Sequence, residues 1–265
     1  MSRTACGLSY RDTGTGPAVL FIHGVGAAGC AWRPQVDALA DRFRCLTFDH
    51  RGVGDSDAPT DPVTVAGMAA DALAVLDAAG VETAHVVGHS LGGPVAVQLA
   101  LTARGRVRSL SLLCTFADGR AVAPLSWRLM WAGARSQFGP RRTRRRAFLE
   151  LILPPAALRG ADRDALAAEL ATVFGRDLAD QPPVAKDQLR AMRAYNATPR
   201  LGELAGLPTL VVAAAHDLIA PPKLGRALAA DIPGADYHEL PDASHGATVY
   251  QPNAVNTLLA GHFAR

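Results

Sequence analysis

Cysteine is scarce in this sequence of 265 residues, and its four cysteines are scattered. They are Cys6, Cys30, Cys45 and Cys114, and no two of them form a C-x-x-C pair. The sequence therefore indicates neither a zinc site nor a disulfide framework. We expect a protein of a reducing compartment.

Long apolar runs are absent as well. No stretch approaches the roughly 20 residues that a membrane-spanning helix requires. The first ten residues, MSRTACGLSY, lack the apolar core of a secretion signal. These two absences predict a cytoplasmic protein without a membrane partner.

Lysine is nearly missing, since Lys186 and Lys223 are the only lysines, and the formal net charge is only +3. One dense basic run stands out, RRTRRR at 141–146. It has no interleaved aromatic residues and matches no nucleic-acid-binding motif, so we expect no nucleic-acid partner. The run is interpreted as a solvated helix start or loop, with attraction of an anionic substrate as the alternative.

What the sequence does contain is an alternation of strand and helix signals. Thr4–Asp12 and 18–22 flank the turn Gly14–Pro17 and are expected to form a hairpin. Apolar periodicity predicts helices at 32–40, 64–79, 91–103 and 223–230 and after Pro252. Further strands are predicted at 43–48, 84–87, 108–114, 208–215 and 235–240. This alternation predicts an α/β fold with a mostly parallel central sheet covered on both faces.

The alternation is interrupted between residues 118 and 197, where no convincing strand is found. This stretch is interpreted as several helices broken at Gly139-Pro140, Pro154-Pro155 and Pro182-Pro183. We therefore expect an α/β core formed by residues 1–117 and 198–265, with residues 118–197 as an inserted helical domain.

The stretch VVGHSLGG at 86–93 places Ser90 between glycines, directly after a predicted strand. Gly88 and Gly92 lack the Cβ atoms that would collide in so sharp a turn. This G-x-S-x-G pattern predicts a nucleophile elbow, which presents a serine hydroxyl at the C-terminal edge of a sheet. The alternative is a tight turn whose serine caps the helix.

A second glycine pattern suggests a different chemistry. GVGAAG at 24–29 matches the dinucleotide-binding G-x-G-x-x-G, and Asp49 follows about 20 residues later, as that fingerprint requires. Three features disfavour a dehydrogenase. A hairpin comes before the turn, His23 stands at its start, and another glycine-rich turn, HRGVG, follows Asp49.

A serine nucleophile needs a base within hydrogen-bond reach. Among the eight histidines, His245 lies in the loop after the last predicted strand and is free to reach Ser90. The others are disfavoured as the base. They lie in predicted strands (His85, His238), in the last helix (His262), beside an acid at a strand end (His216), in turns (His23, His50) or directly before the serine (His89). For His23 and His50, which occupy turns, a structural hydrogen bond is the expected role.

The base needs an acid that orients it, and two aspartates end suitable strands. Asp217 follows strand 208–215 and completes the chain order Ser–Asp–His, so we expect it to be the acid. Asp118, after strand 108–114, stays open as the alternative. The oxyanion is expected to be held by the backbone N–H groups of Leu91 and Val25. Gly24 lets the loop backbone approach the substrate.

With these residues in place, the sequence resembles the α/β-hydrolase superfamily along nearly its whole length. It is most similar to the branch of 3-oxoadipate enol-lactonases, haloperoxidase-like esterases and meta-cleavage C–C hydrolases. The resemblance implies a helical cap over the site and requires neither a metal nor another cofactor. It rests on HGVG at 23–26, DHRGVGDSD at 49–57, GHSLGG at 88–93, the D-x-x-x-P of Asp217–Pro221 and SHG at 244–246.

The expected function is hydrolysis of a small to mid-sized ester or lactone through an acyl-serine intermediate. C–C bond hydrolysis or acyl transfer with the same triad is one alternative. A non-catalytic ligand-binding or signalling protein on the same fold is another.

Large apolar residues crowd the first part of the helical insertion. Trp127 and Trp131 are four residues apart and share a face of the predicted helix, and Arg135 lies one turn further along it. We expect this face to roof the substrate site, since ligand pockets are lined mainly by apolar side chains. Arg135 is expected to hold a carboxylate or carbonyl of the substrate.

Overall fold

The structure is a computed structural model that describes residues 2–4, 6–122 and 127–265, without the side chains at 2, 3, 122, 127 and 128. Within these residues, eight strands form one sheet: β1 (Ser2–Arg3), β2 (Ser9–Thr13), β3 (Ala18–Ile22), β4 (Arg44–Phe48), β5 (Ala84–His89), β6 (Val107–Leu113), β7 (Thr209–Ala214) and β8 (Asp236–Leu240).

The strand order across the sheet is β1-β2-β4-β3-β5-β6-β7-β8. All neighbours from β4 to β8 are parallel, whereas β1–β2 and β2–β4 are antiparallel. Every residue of β3, β5 and β7 is buried, because helices cover both faces of the sheet. The predicted α/β class with a mostly parallel sheet is thereby confirmed.

The predicted hairpin between β2 and β3 is wrong, because β4 lies between these two strands. The connection at 14–17 therefore crosses over a strand. It runs tightly over the loop that leads into β4, since a Cβ on Gly14 would lie 2.4 Å from the carbonyl oxygens of Ala40 and Phe43. Pairing of β4 with both neighbours satisfies more backbone groups than a two-stranded hairpin would.

Alternate residues of each strand supply the cores on the two faces of the sheet. Leu20 and Ile22 of β3 pack with one set of helices, and Val19 and Phe21 pack with the other. The first set is α2 (Val65–Ala78), α3 (Gly92–Thr102) and α9 (Pro222–Asp231). The second is α1 (Arg33–Leu39), α10 (Ala247–Tyr250) and α11 (Pro252–Phe263).

Between β6 and β7 the chain forms a helical segment with an apolar core of its own. Asp118 and Asn196 form an isolated antiparallel bridge at the two ends of this segment. Among the helices that the structure describes, none combines the length and the apolar character of a membrane span. The segment contains α4 (Trp127–Gln137), α5 (Arg141–Ile152), α6 (Pro155–Leu158), α7 (Arg163–Phe174) and α8 (Ala185–Ala194).

The basic run RRTRRR begins α5, and its guanidinium groups are paired within the helical segment. Arg142 and Arg146 bind Asp164, and Arg141 and Arg145 bind Asp177. The hydrogen bond from Arg145 holds the pKa of the Asp177 carboxyl well below its usual range. The charges of the run therefore tie α5 to α7 and to the loop that follows α7.

Candidate active site

Ser90 lies in a sharp turn between β5 and α3, with φ of 55°. A non-glycine residue rarely adopts such a backbone conformation, and strain of this kind concentrates at functional sites. The turn is held from β6, since Ser90 N–H donates to Leu113 O at 3.0 Å. The Thr115 hydroxyl donates to Ser90 O at 2.7 Å.

The glycines around Ser90 are needed for close approach. A Cβ on Gly88 would lie 2.2 Å from the carbonyl oxygen of Gly92. A Cβ on Gly92 would lie 2.1 Å from the carbonyl oxygen of Ile22 in β3. The elbow can therefore pack against the neighbouring strand only with glycine at these positions.

The structure brings Ser90, His245 and Asp217 together at the C-terminal edge of the sheet. His245 Nε2 lies 2.9 Å from Ser90 Oγ, and His245 Nδ1 lies 2.8 Å from Asp217 Oδ2. An ionised carboxylate only accepts hydrogen bonds, so Nδ1 carries the imidazole proton. Nε2 is then free to accept the proton of the Ser90 hydroxyl.

Asp217 is buried and rigidly held. Its Oδ1 accepts the N–H groups of Ile219 at 2.7 Å and Ala220 at 2.9 Å, which leaves Oδ2 for His245. The thiol of Cys114 also contacts Asp217, and burial together with this negative charge raises the pKa of the thiol well above its ordinary value. Cys114 is therefore a neutral thiol behind the carboxylate.

Asp118, the alternative acid, is engaged elsewhere. Its Oδ1 accepts the backbone N–H of Arg120 at 2.9 Å and lies 3.4 Å from that residue's Nε. It belongs to the bridge with Asn196 at the base of the helical segment. Of the two aspartates, only Asp217 binds His245.

Two more histidines surround the triad, and both are buried. His89 Nε2–H donates to His245 O at 2.8 Å, and the two rings lie 5.0 Å apart. Burial lowers the pKa of His89 to about 4, so its ring is neutral at physiological pH. His89 thus supports the backbone of His245 and does not compete for Ser90.

The side chain of His23 does not have the predicted structural hydrogen bond. Within the described residues neither of its ring nitrogens has a hydrogen-bond partner, and the ring packs on Trp32 at 4.7 Å. Burial lowers the pKa of His23 well below its ordinary value. For His50 the prediction agrees with a contact of 3.3 Å between its Nε2 and the carbonyl oxygen of His23.

The loop after β3 passes directly over Ser90. A Cβ on Gly24 would lie 3.0 Å from the Cβ of Ser90, a tight contact that glycine avoids. In the described part of the chain, the N–H groups of Val25 and Leu91 donate to no protein acceptor. Both are therefore free to bind an oxygen atom of a substrate.

Asp49, which completes the dinucleotide-like pattern, is not available to a ribose. Its Oδ1 accepts the N–H of Gly29 at 2.7 Å, and its Oδ2 accepts the N–H of Asp55 at 3.1 Å. The carboxylate therefore fastens two glycine-rich turns together. The pattern at 24–29 is a packing feature of these turns.

A cavity of about 190 Å³ opens onto Ser90 and His245. Gly24 and Val25 line it from the core, and the remaining wall is mainly apolar. Its apolar residues from the helical segment are Phe148, Leu151, Ile152, Phe174, Leu189 and Met192. A larger cavity of about 290 Å³ lies between the loop at 59–64 and α2, and neither Ser90 nor His245 lines it.

The structure corrects the predictions that Trp131 roofs the site and that Arg135 holds a carboxylate or carbonyl of the substrate. Trp131 is 60% exposed, and Arg135 pairs with Glu150 at 3.0 Å; neither lines the cavity. Helix α4 instead buries the small residues Ala132 and Ser136, which allow it to approach α5 closely. The side chain of Trp127, the other predicted roof residue, is not among those that the structure describes.

Sequence reasoning missed the residues that support the site from behind. Thr115 and Cys114 follow β6 and have no motif of their own, yet they contact Ser90 and Asp217. Cys114 has φ of 48°, a strained conformation that only the structure reveals. A sequence signal for either residue is lacking, because their partners belong to other strands.

Comparison with known proteins assigns this architecture. The family model described as alpha/beta hydrolase fold matches residues 17–251. A candidate carbamate hydrolase, RutD, from Azorhizobium caulinodans is 33% identical over 258 residues, which cover 96% of this chain and 94% of that protein.

Two crystal structures are similar over almost their whole length. A candidate non-heme bromoperoxidase, BpoC, from Mycobacterium tuberculosis has a TM-score of 0.85 at 30% identity, covering 100% of this chain and 98% of its own. The enol-lactonase from Burkholderia xenovorans LB400 has a TM-score of 0.81 at 26% identity, covering 97% of this chain and 96% of its own.

Proposed function

The chain belongs to the alpha/beta hydrolase family, and from this premise we propose that it is a serine hydrolase of esters or lactones that acts through an acyl-serine intermediate. The observation that carries the proposal is the hydrogen-bonded series Ser90–His245–Asp217, with distances of 2.9 and 2.8 Å. Such a series activates a hydroxyl that is a poor nucleophile by itself.

In the first half of the reaction, Ser90 Oγ attacks the substrate carbonyl carbon while its proton passes to His245 Nε2. Asp217 stabilises the imidazolium that forms, and the carbonyl oxygen becomes an oxyanion. The N–H groups of Val25 and Leu91 bind this oxyanion more strongly than they bind the neutral carbonyl. Collapse of the tetrahedral intermediate breaks the C–O bond, and His245 donates its proton to the departing alcohol oxygen.

In the second half, water attacks the acyl group on Ser90 while His245 takes up a proton from the water. The same two N–H groups bind the second oxyanion. The bond from the acyl carbon to Ser90 Oγ then breaks, and His245 returns the proton to the serine. With a lactone, the alcohol stays attached to the acyl group, so one open-chain hydroxy acid is released.

The cavity argues for a small, largely apolar acyl group. Its volume of about 190 Å³ is below the roughly 300–1,000 Å³ of drug-binding pockets. We propose that residues 118–197 act as the cap and that Phe148 and Met192 contact the acyl chain. Leu189 is 37% exposed at the cavity wall, which makes it suitable for an entrance.

Two of the relatives have names that imply different hydrolysed bonds, and the triad is compatible with both. The carbamate of the RutD name and the enol-lactone of the Burkholderia enzyme both present a planar carbonyl beside a leaving heteroatom. We favour the ester or lactone because the described cavity walls are mainly apolar. A carbamate would be the second substrate to test.

We also propose that the substrate is a small molecule and that the protein acts in the cytoplasm. All four cysteines are free thiols, which suits a reducing compartment. Four of the five arginines of the basic run on α5 pair with aspartates, and the fifth, Arg144, donates to Ala179 O, so the run is largely engaged within the protein and disfavours a nucleic-acid partner.

A substrate panel tests the proposal. Purified protein and its Ser90→Ala variant are assayed on p-nitrophenyl acetate, a γ-lactone and an N-aryl carbamate. We expect Ser90-dependent turnover of the ester or the lactone above that of the carbamate. If the two proteins are equally inactive on every substrate, the proposed Ser90-dependent hydrolysis fails and the non-catalytic alternative is favoured.

A further inference from the structure

A glutamine of the helical segment holds the loop that passes over Ser90. Gln188 on α8 is 1% exposed, and its Oε1 accepts the N–H of Gly26 at 2.8 Å. The two residues are 162 positions apart in the sequence. Along α8 the other buried residues, Ala185, Ala191 and Met192, are small or apolar, so Gln188 is the polar exception on this face.

Gly26 is a central residue of a tight turn. Ala27 N–H donates to Gly24 O at 3.3 Å, and Gly26 has φ of 65°. A positive φ at the third residue, with Val25 absent from the residues of positive φ, identifies the type II geometry, which differs from type I by reversal of the central peptide. Glycine permits both geometries at little cost. A hydrogen-bond partner outside the turn therefore favours one orientation of the Val25–Gly26 peptide over the other.

Gln188 supplies that partner. A bond to Gly26 N–H orients the peptide on the C-terminal side of Val25, while the N–H of Val25 belongs to the peptide on the N-terminal side. The Gly24–Val25 and Val25–Gly26 peptides share the Cα of Val25. A fixed orientation of the second peptide therefore restricts the rotation of the first. The direction of the Val25 N–H thus depends on a side chain of the helical segment.

We propose that Gln188 is a positioning residue for the oxyanion loop and that the oxyanion hole is complete only when α8 is docked. This inference rests on the proposed function, because it needs the N–H of Val25 to bind the oxyanion. The next residue of α8, Leu189, and Met192 one turn on both line the cavity. Helix α8, which lines the cavity, therefore also orients the oxyanion loop.

The test compares three variants. Gln188→Met removes the acceptor at similar length, and Gln188→Glu keeps an acceptor oxygen at the same position. Gln98→Met is the matched control: the Tyr195 hydroxyl of the helical segment donates to Gln98 Oε1 of the core at 3.1 Å, and neither residue lines the cavity. The control thus loosens the segment without touching the oxyanion loop.

Kinetics on p-nitrophenyl acetate give the first readout. We expect Gln188→Met to lower kcat by roughly 10- to 100-fold, less than the 10²- to 10³-fold of a lost oxyanion donor, with KM changed by less than about twofold. Affinity for phenylboronic acid, which forms a tetrahedral adduct with an active serine, should fall with kcat/KM. Gln188→Glu and Gln98→Met should stay within about threefold of the wild-type kcat.

Hydrogen exchange of the Gly26 amide gives a readout that does not need catalysis. Protection should be lost in Gln188→Met and kept in Gln188→Glu, Gln98→Met and Ser90→Ala. If wild type and Ser90→Ala are equally inactive, the proposed function fails while the exchange data still report on the loop.

Three results would overturn the inference. The first is a folded Gln188→Met protein with wild-type kcat or unchanged Gly26 protection. The second is an equal loss of kcat in Gln188→Glu and Gln188→Met, which would mean that packing matters and the acceptor does not. The third is an equal loss in Gln98→Met, which would mean that any weakening of the segment has the same effect.

Discussion

The Oγ atom of Ser90 lies 2.9 Å from Nε2 of His245, although 155 positions separate the two residues in the sequence. Their loops follow β5 and β8, which are separated in the sheet by β6 and β7. Both loops leave the same edge of the sheet because the strands are parallel. The parallel sheet therefore brings Ser90 and His245 into contact. This contact predicts how the site responds to substitution.

Ser90→Ala should abolish the proposed reaction. Without the hydroxyl no acyl-enzyme can form, so we expect kcat on p-nitrophenyl acetate to fall by about 10⁴-fold or more. The far-ultraviolet circular dichroism of the variant should match wild type. Turnover near the wild-type level in the folded variant would contradict the mechanism.

Asp217→Asn should be far more harmful than Asp118→Asn. An amide at 217 can donate to His245 Nδ1 and favour the wrong tautomer, and such changes cost about 10⁴-fold in kcat. Asp118 contacts Arg120 and has no hydrogen bond to His245, so its variant should keep kcat within about threefold. Steady-state assays of both variants make the comparison. The opposite ranking would move the acid to the end of β6.

The cavity wall should control acyl-chain length. Phe148 packs edge-on against Phe174 with ring centroids 5.8 Å apart, and both line the cavity. Truncation in Phe148→Ala enlarges the cavity and should raise kcat/KM for p-nitrophenyl octanoate relative to acetate by about 10-fold, the lower end of the effect of one methylene in an apolar pocket.

The matched control for this prediction is Trp131→Ala, an equally large truncation at an exposed position. It should leave the ratio of octanoate to acetate turnover at the wild-type value. A change in substrate ranking in Trp131→Ala, with none in Phe148→Ala, would show that the exposed face of α4 contacts the substrate.

Acid should destabilise the fold through buried neutral histidines. Burial lowers the pKa of His85 to about 4, whereas an unfolded histidine titrates near 6.5. Between these values the unfolded chain binds the additional proton. The free energy of unfolding therefore falls as pH drops from about 6.5 to 4, by up to about 1.4 kcal/mol per pH unit for each such histidine.

Urea unfolding of wild type and His85→Gln between pH 7 and 5 measures this contribution. The glutamine can still bond the Ser109 hydroxyl, which lies 2.8 Å from His85 Nδ1, but it does not titrate. The variant should therefore show the shallower dependence on pH. Identical slopes for the two proteins would show that His85 does not contribute.

Local sequence patterns were sufficient for most of the core. The buried strands β3 and β5 and the helix α2 were predicted within a few residues, because apolar periodicity reflects the side of each element that meets the core. The elbow at Ser90 was equally predictable from the sequence, since so sharp a turn excludes a Cβ at Gly88 and Gly92. Strand order was not readable, and β4 was found between β2 and β3.

The sequence by itself therefore determined the α/β class, the elbow at Ser90 and a short list of partners that included His245 and two aspartates. Only the tertiary structure decided that Asp217 binds His245, that α4 buries Ala132 in place of Trp131, and that Gln188 binds the Gly26 N–H. The physical reason is the range of the interactions. A turn or an amphipathic helix is determined by residues close together in the sequence. A hydrogen bond across 162 positions depends instead on how whole helices and strands pack.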